Sequence, residues 1–281
     1  MWSKPVGKKV IFFDMGNTLI SFHKKGNDKE KEKLGELYLL SFLQERFPEV
    51  NEVNLREEFL NPWYDLMGQR SKTKEEYPID ELLNQYLGKR NAYLSYPECI
   101  NALRVYFRPF LENIEKEKNL YDTLKTLKDN GYKLAIISNT PYFKEVNEEC
   151  LEEAGIDGLF DELIFSYDVR VAKPKYEIFE YALRLMNVRA DECVMVGDSL
   201  LNDMAPASDL GMKCYWLNIK NDDNYLDVKN VTEIDSLSDL VDELLIQDQE
   251  EQEVYVEVEE IYEEDDDFDV NDYLFEEDED L

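Results

Sequence analysis

The residues best suited to chemistry lie in four short segments, each at a place where an apolar run gives way to polar side chains. In VIFFDMGNTLI, residues 10–20, four large apolar residues lead into Asp14, and Gly16, Asn17 and Thr18 come next. That order puts a carboxylate on a turn at the carboxyl end of a buried strand, where open α/β sheets bind ligands. Alone, Asp14 would serve equally well as a cap on the next element. KLAIISNTP ends in Ser138, Asn139 and Thr140, whose hydroxyl, amide and backbone N–H groups suit a phosphoryl oxygen. VAKPKYEIFEYAL sets Lys173 ahead of a helix, a cation able to neutralise both a carboxylate nucleophile and an incoming phosphate. VMVGDSLLND delivers Asp198 and Asp203 after a strand, and with Asp14 they make an oxygen-rich set of the kind Mg²⁺ prefers. Four such segments in one order point to metal-assisted phosphoryl chemistry.

The elements that must position these residues alternate short apolar runs with amphipathic stretches, the pattern of parallel strands joined by crossover helices. Strands are expected at Val10 to Asp14, Lys133 to Ser138, Leu163 to Phe165, Cys193 to Gly197 and Lys213 to Leu217. Leu120, Leu124 and Leu127 form a helical stripe that stops at Asn130-Gly131, and Gly155 and Gly211 close two more helices. From about Ser21 to Asn113 no strand pattern appears. Helical spacing dominates there, as in Leu34, Leu37, Tyr38, Ser41 and Phe42, and Pro48, Pro62, Pro78, Pro97 and Pro109 are expected to cut the stretch into several short helices. The expected fold class is α/β, a Rossmann-like parallel sheet with an inserted helical domain. Its core would comprise residues 1–20 and 114–246, the insertion 21–113, and an acidic, disordered tail 247–281.

Charge divides the chain in the same way. The net charge is −33 over 281 residues, yet the 35 residues from Gln247 hold 19 Asp or Glu and no Lys or Arg. The remaining body carries 31 basic and 45 acidic side chains, an ordinary acidic balance. Nucleic-acid affinity rests on Lys and Arg neutralising phosphates, so DNA and RNA are excluded as partners. No run reaches the ~20 apolar residues of a membrane span, and Met1 to Lys9 lacks the apolar core of a signal peptide. A cytoplasmic protein without a membrane partner is expected. Cys99, Cys150, Cys193 and Cys214 are scattered and read as buried, reduced thiols. In the tail, Val254, Val256 and Val258 alternate with polar residues, and Tyr262, Phe268, Tyr273 and Phe275 stand among the acids. Such a tail solubilises, and its hydrophobes would suit a basic protein partner.

These motifs resemble those of the haloacid dehalogenase-like superfamily of hydrolases, in the subclass with a helical cap inserted after the first motif. DMGNTL from Asp14, the segment ending at Ser138, Lys173-Pro174, and GDSLLND with Asp198 and Asp203 correspond in order to its four motifs. The resemblance covers about Val10 to Leu217. It implies a phosphatase acting on a phosphorylated small molecule, with Asp14 as nucleophile forming an aspartyl-phosphate. It further implies Mg²⁺ held by the Asp14 carboxylate, the Gly16 carbonyl and Asp198. Ser138, Asn139 and Lys173 would bind the phosphoryl group, and Asp203 would orient the metal shell or Lys173. A structural role for Asp203 at the start of a helix stays open.

One position departs from the pattern. Most phosphatases that the chain resembles carry a second Asp two residues after the nucleophile, as general acid and base, whereas this chain has Gly16. The carbonyl remains for metal; the proton donor does not, an omission worth ~10² to 10⁴-fold in rate. Leaving groups of low pKa, such as acyl or aryl phosphates, are therefore expected to be favoured. His23, the only histidine, is a substitute acid to weigh against a solvated hinge residue. Asp198 and Asp203 argue against dehalogenase chemistry, and Lys173 in place of Arg argues against phosphonate hydrolysis. The alternative from another class is a weak or inactive enzyme scaffold that binds a partner through its acidic tail.

Overall fold

Val10, Ile11, Phe12 and Phe13 have no polar face to offer solvent, and all four are fully buried as β1 (Val10–Phe13). A strand apolar on both faces belongs in the middle of a parallel sheet covered by helices. In the computed structural model, which describes residues 10–23 and 26–246, β1 lies there. The acidic tail from Gln247, expected to be disordered, is outside these residues. Two-residue strands β2 (Ile20–Ser21) and β3 (Glu115–Lys116) pair antiparallel. Then come β4 (Lys133–Ser138), β5 (Glu162–Phe165), β6 (Cys193–Gly197), β7 (Lys213–Leu217) and β8 (Val231–Ile234). The six longer strands run parallel in the order β5-β4-β1-β6-β7-β8. The chain leaves β1 for one side of the sheet and later returns to the other, so the carboxyl ends of β4, β1 and β6 flank the point where the order reverses. Ligand crevices of doubly wound sheets form at such points.

β8 and the β2–β3 ribbon have no counterpart in the strands expected from sequence. β8 reads VTEI and is half exposed, and two-residue strands are too short for any periodicity. The ribbon ties together the two ends of the intervening helical stretch, with Ile20 opposite Lys116 and Ser21 opposite Glu115.

That stretch is helical as expected, although two prolines do not cut it. Its helices are Asp28–Gln44, then Glu52–Leu55 continuing through a π turn at Arg56–Leu60 into Asn61–Thr73, then Ile79–Gly88 and Tyr96–Leu111. Pro62 comes just after the π turn, whose wider register leaves the helix intact, and Pro109 sits in the last turn of its helix. Pro97 occupies the first turn, where its missing N–H costs nothing. Asp28–Gln44 turns one face inward. Gly35, Leu39 and Leu43 are buried, whereas Leu34 and Leu37 are exposed.

Gly35 is the reason. A Cβ there would collide with the backbone oxygen of Tyr106, so Asp28–Gln44 and Tyr96–Leu111 cross with their backbones in near contact. Gly35→Ala is expected to push the two helices apart and destabilise the protein by ~1 to 3 kcal/mol, the usual cost of overpacking. A denaturation midpoint equal to wild type would contradict this crossing.

The apolar core of the helical stretch, with Leu39, Leu43, Phe59, Trp63 and Tyr106, extends without a break to Phe143, Val146 and Tyr167 beside the sheet. The described residues from 10 to 241 accordingly form one compact unit. A second core lies on the sheet against Tyr176–Met186 and Ala205–Asp209, through Ile178, Phe179, Ala182 and Ala207. All four cysteines are buried and unbridged. No helix among the described residues is long and apolar enough to cross a membrane.

Candidate active site

Asp14 comes directly after β1, and its N–H continues the ladder by donating to Val196 O at 2.9 Å. The backbone then turns tightly. Asn17 takes a left-handed conformation with φ 63°, and the N–H groups of Leu19 and Ile20 both donate to Met15 O. This turn brings Thr18 back to the Asp14 carboxylate, and Thr18 Oγ1 donates to Asp14 Oδ2 at 3.1 Å. Lys173 Nζ reaches the other oxygen, Asp14 Oδ1, at 2.7 Å and Asp203 Oδ1 at 2.6 Å. The Lys173 and Asp203 side chains are almost fully buried.

Each partner is itself held. Asn139 pairs with the Lys173 backbone in both directions: its Nδ2 donates to Lys173 O at 3.0 Å, and its Oδ1 accepts from Lys173 N at 2.7 Å. Asp203 Oδ2 accepts from Ser199 N at 3.1 Å. Gly197 makes room for it, since a Cβ at 197 would lie 2.6 Å from Asp203 Cγ. Trp216 Nε1 donates to Asp198 O at 3.0 Å and fixes the backbone there. Ser138 ends β4 and is buried.

Three carboxyl groups and one ammonium govern the electrostatics. Oxygens of Asp14, Asp198 and Asp203 lie within 4.8 Å of one another. Among the described residues Lys173 is the cation that bonds Asp14 and Asp203, and the carboxyl groups outnumber it. Burial pushes the Asp198 carboxyl up to about 6, and the neighbouring Asp14 adds to it while Lys173 opposes. Burial likewise raises Asp203 despite Lys173, with Asp14 and Asp198 adding to the rise. Burial alone would lower the Lys173 ammonium, but Asp14 and Asp203 outweigh it and the net shift is upward. Lys173 therefore stays protonated, and a compact cluster of hard oxygen donors with surplus negative charge suits a divalent cation.

A family model described as a haloacid dehalogenase-like hydrolase matches residues 8–211. The chain belongs to that family. Among its relatives, the glyceraldehyde 3-phosphate phosphatase of Methanocaldococcus jannaschii is 33% identical over 173 residues, 58% of this chain and 70% of that protein. The phosphoglycolate phosphatase of Colwellia psychrerythraea is 27% identical over 210 residues, 71% of this chain and 80% of that protein. A solved haloacid dehalogenase-like phosphatase from Thermococcus onnurineus superposes with a TM-score of 0.56 at 26% identity, over 84% of this chain and 97% of its own.

Within this haloacid dehalogenase-like scaffold, Asp14, Lys173, Asp198 and Asp203 come together, while the side chains of Asn139 and His23, also candidates from sequence, have other partners. The Asn139 amide is committed to the Lys173 backbone through both of its hydrogen bonds. His23 pairs with Asp28 at 2.9 Å and is largely exposed. Lys175 turns to Glu75, Arg104 to Glu149 and Arg70 to Glu76, and Trp63 packs among Tyr64, Tyr106 and Tyr142. Sequence reasoning missed Thr18 as a direct partner of the Asp14 carboxylate. Its spacing of four residues across a left-handed Asn was the available signal. At Gly16 an added Cβ would meet nothing within 4 Å, so the position where a second Asp would stand is open space.

Proposed function

We propose that the protein is a Mg²⁺-dependent phosphatase that cleaves a phosphorylated small molecule through an aspartyl-phosphate on Asp14. The observation that carries this reading is the buried Asp14–Lys173–Asp203 array at the sheet's reversal point. It presents a carboxylate nucleophile already paired with a cation. Lys173 and Thr18 hold the two oxygens of Asp14, which limits rotation of the carboxylate and aims it at phosphorus. Asp14 attacks in line, the bond from phosphorus to the leaving oxygen breaks, and the leaving group departs with the electron pair. Water then attacks the phosphorus of the aspartyl-phosphate, releasing inorganic phosphate and restoring the Asp14 carboxylate. Lys173 balances charge in both steps. Ser138 and the Asn139 main chain contribute hydrogen bonds to the phosphoryl oxygens. Asp203 keeps Lys173 in place.

Asp14, Asp198 and the Gly16 carbonyl would hold Mg²⁺, which when bound supplies charge neutralisation between carboxylate and phosphate. The helical stretch 21–113 serves as a cap over the crevice that excludes water and contacts the leaving group. The relatives' names point to small phosphorylated metabolites. A panel containing 4-nitrophenyl phosphate, glyceraldehyde 3-phosphate, phosphoglycolate and nucleoside monophosphates, assayed for phosphate release with Mg²⁺ and with EDTA, tests the reading. Turnover that needs Mg²⁺ is expected; release indifferent to EDTA would count against the metal, and none on any compound against the phosphatase.

The cation can also be tested without turnover. A carboxyl raised to about 6 when folded, against an ordinary value near 4, binds its proton more tightly in the folded state. The stability that this proton brings is present at low pH and lost as pH rises through about 6. Mg²⁺ competes with the same proton, so its stabilising effect grows over that interval. At tenfold excess over the dissociation constant the gain is about 1.4 kcal/mol. The Mg²⁺-induced rise in Tm should thus be larger at pH 7.5 than at pH 5, and should shrink at both in Asp198→Asn. Equal shifts at the two pH values would remove Asp198 from the metal set.

A further inference from the structure

Residues 74–78, between helices Asn61–Thr73 and Ile79–Gly88, lie with Ile79 across two loops at the carboxyl edge of the sheet. Glu75 forms a bridge with Val171, Ala172 N donates to Lys74 O at 3.4 Å, and Ile79 N donates to Pro141 O at 3.4 Å. Between these contacts sits Glu76, a carboxylate with no exposed side-chain surface. Its Oε2 accepts a hydrogen bond from Ser166 Oγ, and its Oε1 accepts from Tyr77 N at 3.2 Å and lies 3.5 Å from Arg70 Nη1. Ser166 Oγ in turn accepts from Thr140 N at 2.8 Å.

The direction of these bonds matters. A serine hydroxyl has one proton, and an ionised carboxylate can only accept. With Glu76 taking that proton, the lone pairs of Ser166 Oγ face the N–H of Thr140, two residues beyond Ser138. Without it, the hydroxyl can turn to Thr140 O, which stands 3.2 Å away. The Ser138–Thr140 loop is thus gripped on one side by Asn139 against the Lys173 backbone and on the other by Glu76 through Ser166. A buried carboxylate is costly, and its partner Arg70 makes a single loose ion pair with it. Packing of the helical stretch alone does not call for such a group.

We infer that Glu76 is a positioning residue: through Ser166 it sets the Thr140 main chain, and with it the phosphate-binding loop after β4. For its catalytic consequence the inference rests on the phosphatase reading above. Misplacing reacting groups by about 1 Å costs up to ~10²-fold in rate, so an effect on kcat is expected rather than one on substrate capture.

The test compares Glu76→Ala, Ser166→Ala, the double variant and Glu76→Gln, with 4-nitrophenyl phosphate and Mg²⁺. Each alanine variant should lower kcat about tenfold or more with KM within threefold. The double variant should be no slower than the slower single one, because both remove the same link. Glu76→Gln should recover most of kcat, since its amide oxygen still accepts from Ser166. Losses that multiply in the double variant, an unchanged kcat, or no recovery in Glu76→Gln would overturn the assignment. In parallel, amide hydrogen exchange at Thr140 in the unliganded protein should accelerate at least tenfold in both alanine variants, with the interior of Asp28–Gln44 unaffected. Unchanged exchange at Thr140 also overturns it. If wild type turned over no phosphate ester, the phosphatase reading would fall, and the exchange measurement would still decide whether Glu76 holds the loop.

Discussion

Asp14→Asn is expected to reduce phosphate release to background, a loss on the order of 10⁴-fold or more, the scale of nucleophile removals. The amide has the shape of the carboxylate but cannot form the acyl phosphate. Thr18 Oγ1 keeps an acceptor, and Lys173 keeps Asp203 at 2.6 Å, so the surrounding array has little reason to move. The change also takes one charge from a buried cluster in which negative groups outnumber the ammonium. Tm without metal should therefore be unchanged or higher, against the usual destabilisation by a buried polar substitution. Inactivity with a retained or raised Tm separates a chemical role from a structural one. A variant that kept a tenth of the wild-type rate would exclude Asp14 as nucleophile, and one that lost both activity and fold would make it a structural cap.

Gly16→Asp works in the opposite direction and is expected to raise kcat on alkyl phosphates by about 10²-fold, within the range of general acid–base catalysis. The position tolerates a side chain: nothing lies within 4 Å of the Cβ it would gain, and the backbone there is not left-handed, unlike that of its neighbour Asn17. The new carboxyl would protonate the departing oxygen and then draw a proton from the attacking water. Aryl and acyl phosphates, whose leaving groups need little protonation, should gain much less. In wild type the logarithm of kcat should fall steeply as leaving-group pKa rises, and in Gly16→Asp the slope should flatten. A shallow slope in wild type would show that it already owns a proton donor, and equally steep slopes in the two proteins would show that Asp at position 16 does not act as one.

How much of the fold is legible in the chain alone differs element by element. The five strands expected between Val10 and Leu217 form, because each is an apolar run bounded by polar or turn residues, a signal carried within a few residues. Gly131, Gly155 and Gly211 close helices by left-handed backbone, again a local property. β8 escaped because its VTEI is half exposed at an edge, and the inward face of Asp28–Gln44 was not legible because it is set where Gly35 meets Tyr106, some seventy positions later. Pro62 looked like a helix breaker because the adjacent π turn cannot be foreseen from composition.

The site divides along the same line. The sequence by itself determined which groups are available, namely the Asp14 carboxylate, the oxygen donors Asp198 and Asp203, the lysine in its register before Pro174 and the glycine two residues after Asp14. These depend on residue type and on position at the end of a buried strand. Tertiary structure alone decided that Lys173 grips Asp14 across 159 positions, that the Asn139 amide serves Lys173 rather than a ligand, and that Glu76 reaches Ser166 across 90. Strand and helix propensities act over a few residues, whereas hydrogen bonds between loops exist only once the sheet order brings the loops together. Local patterns could name the candidate groups, and only the packed sheet could say which of them touch.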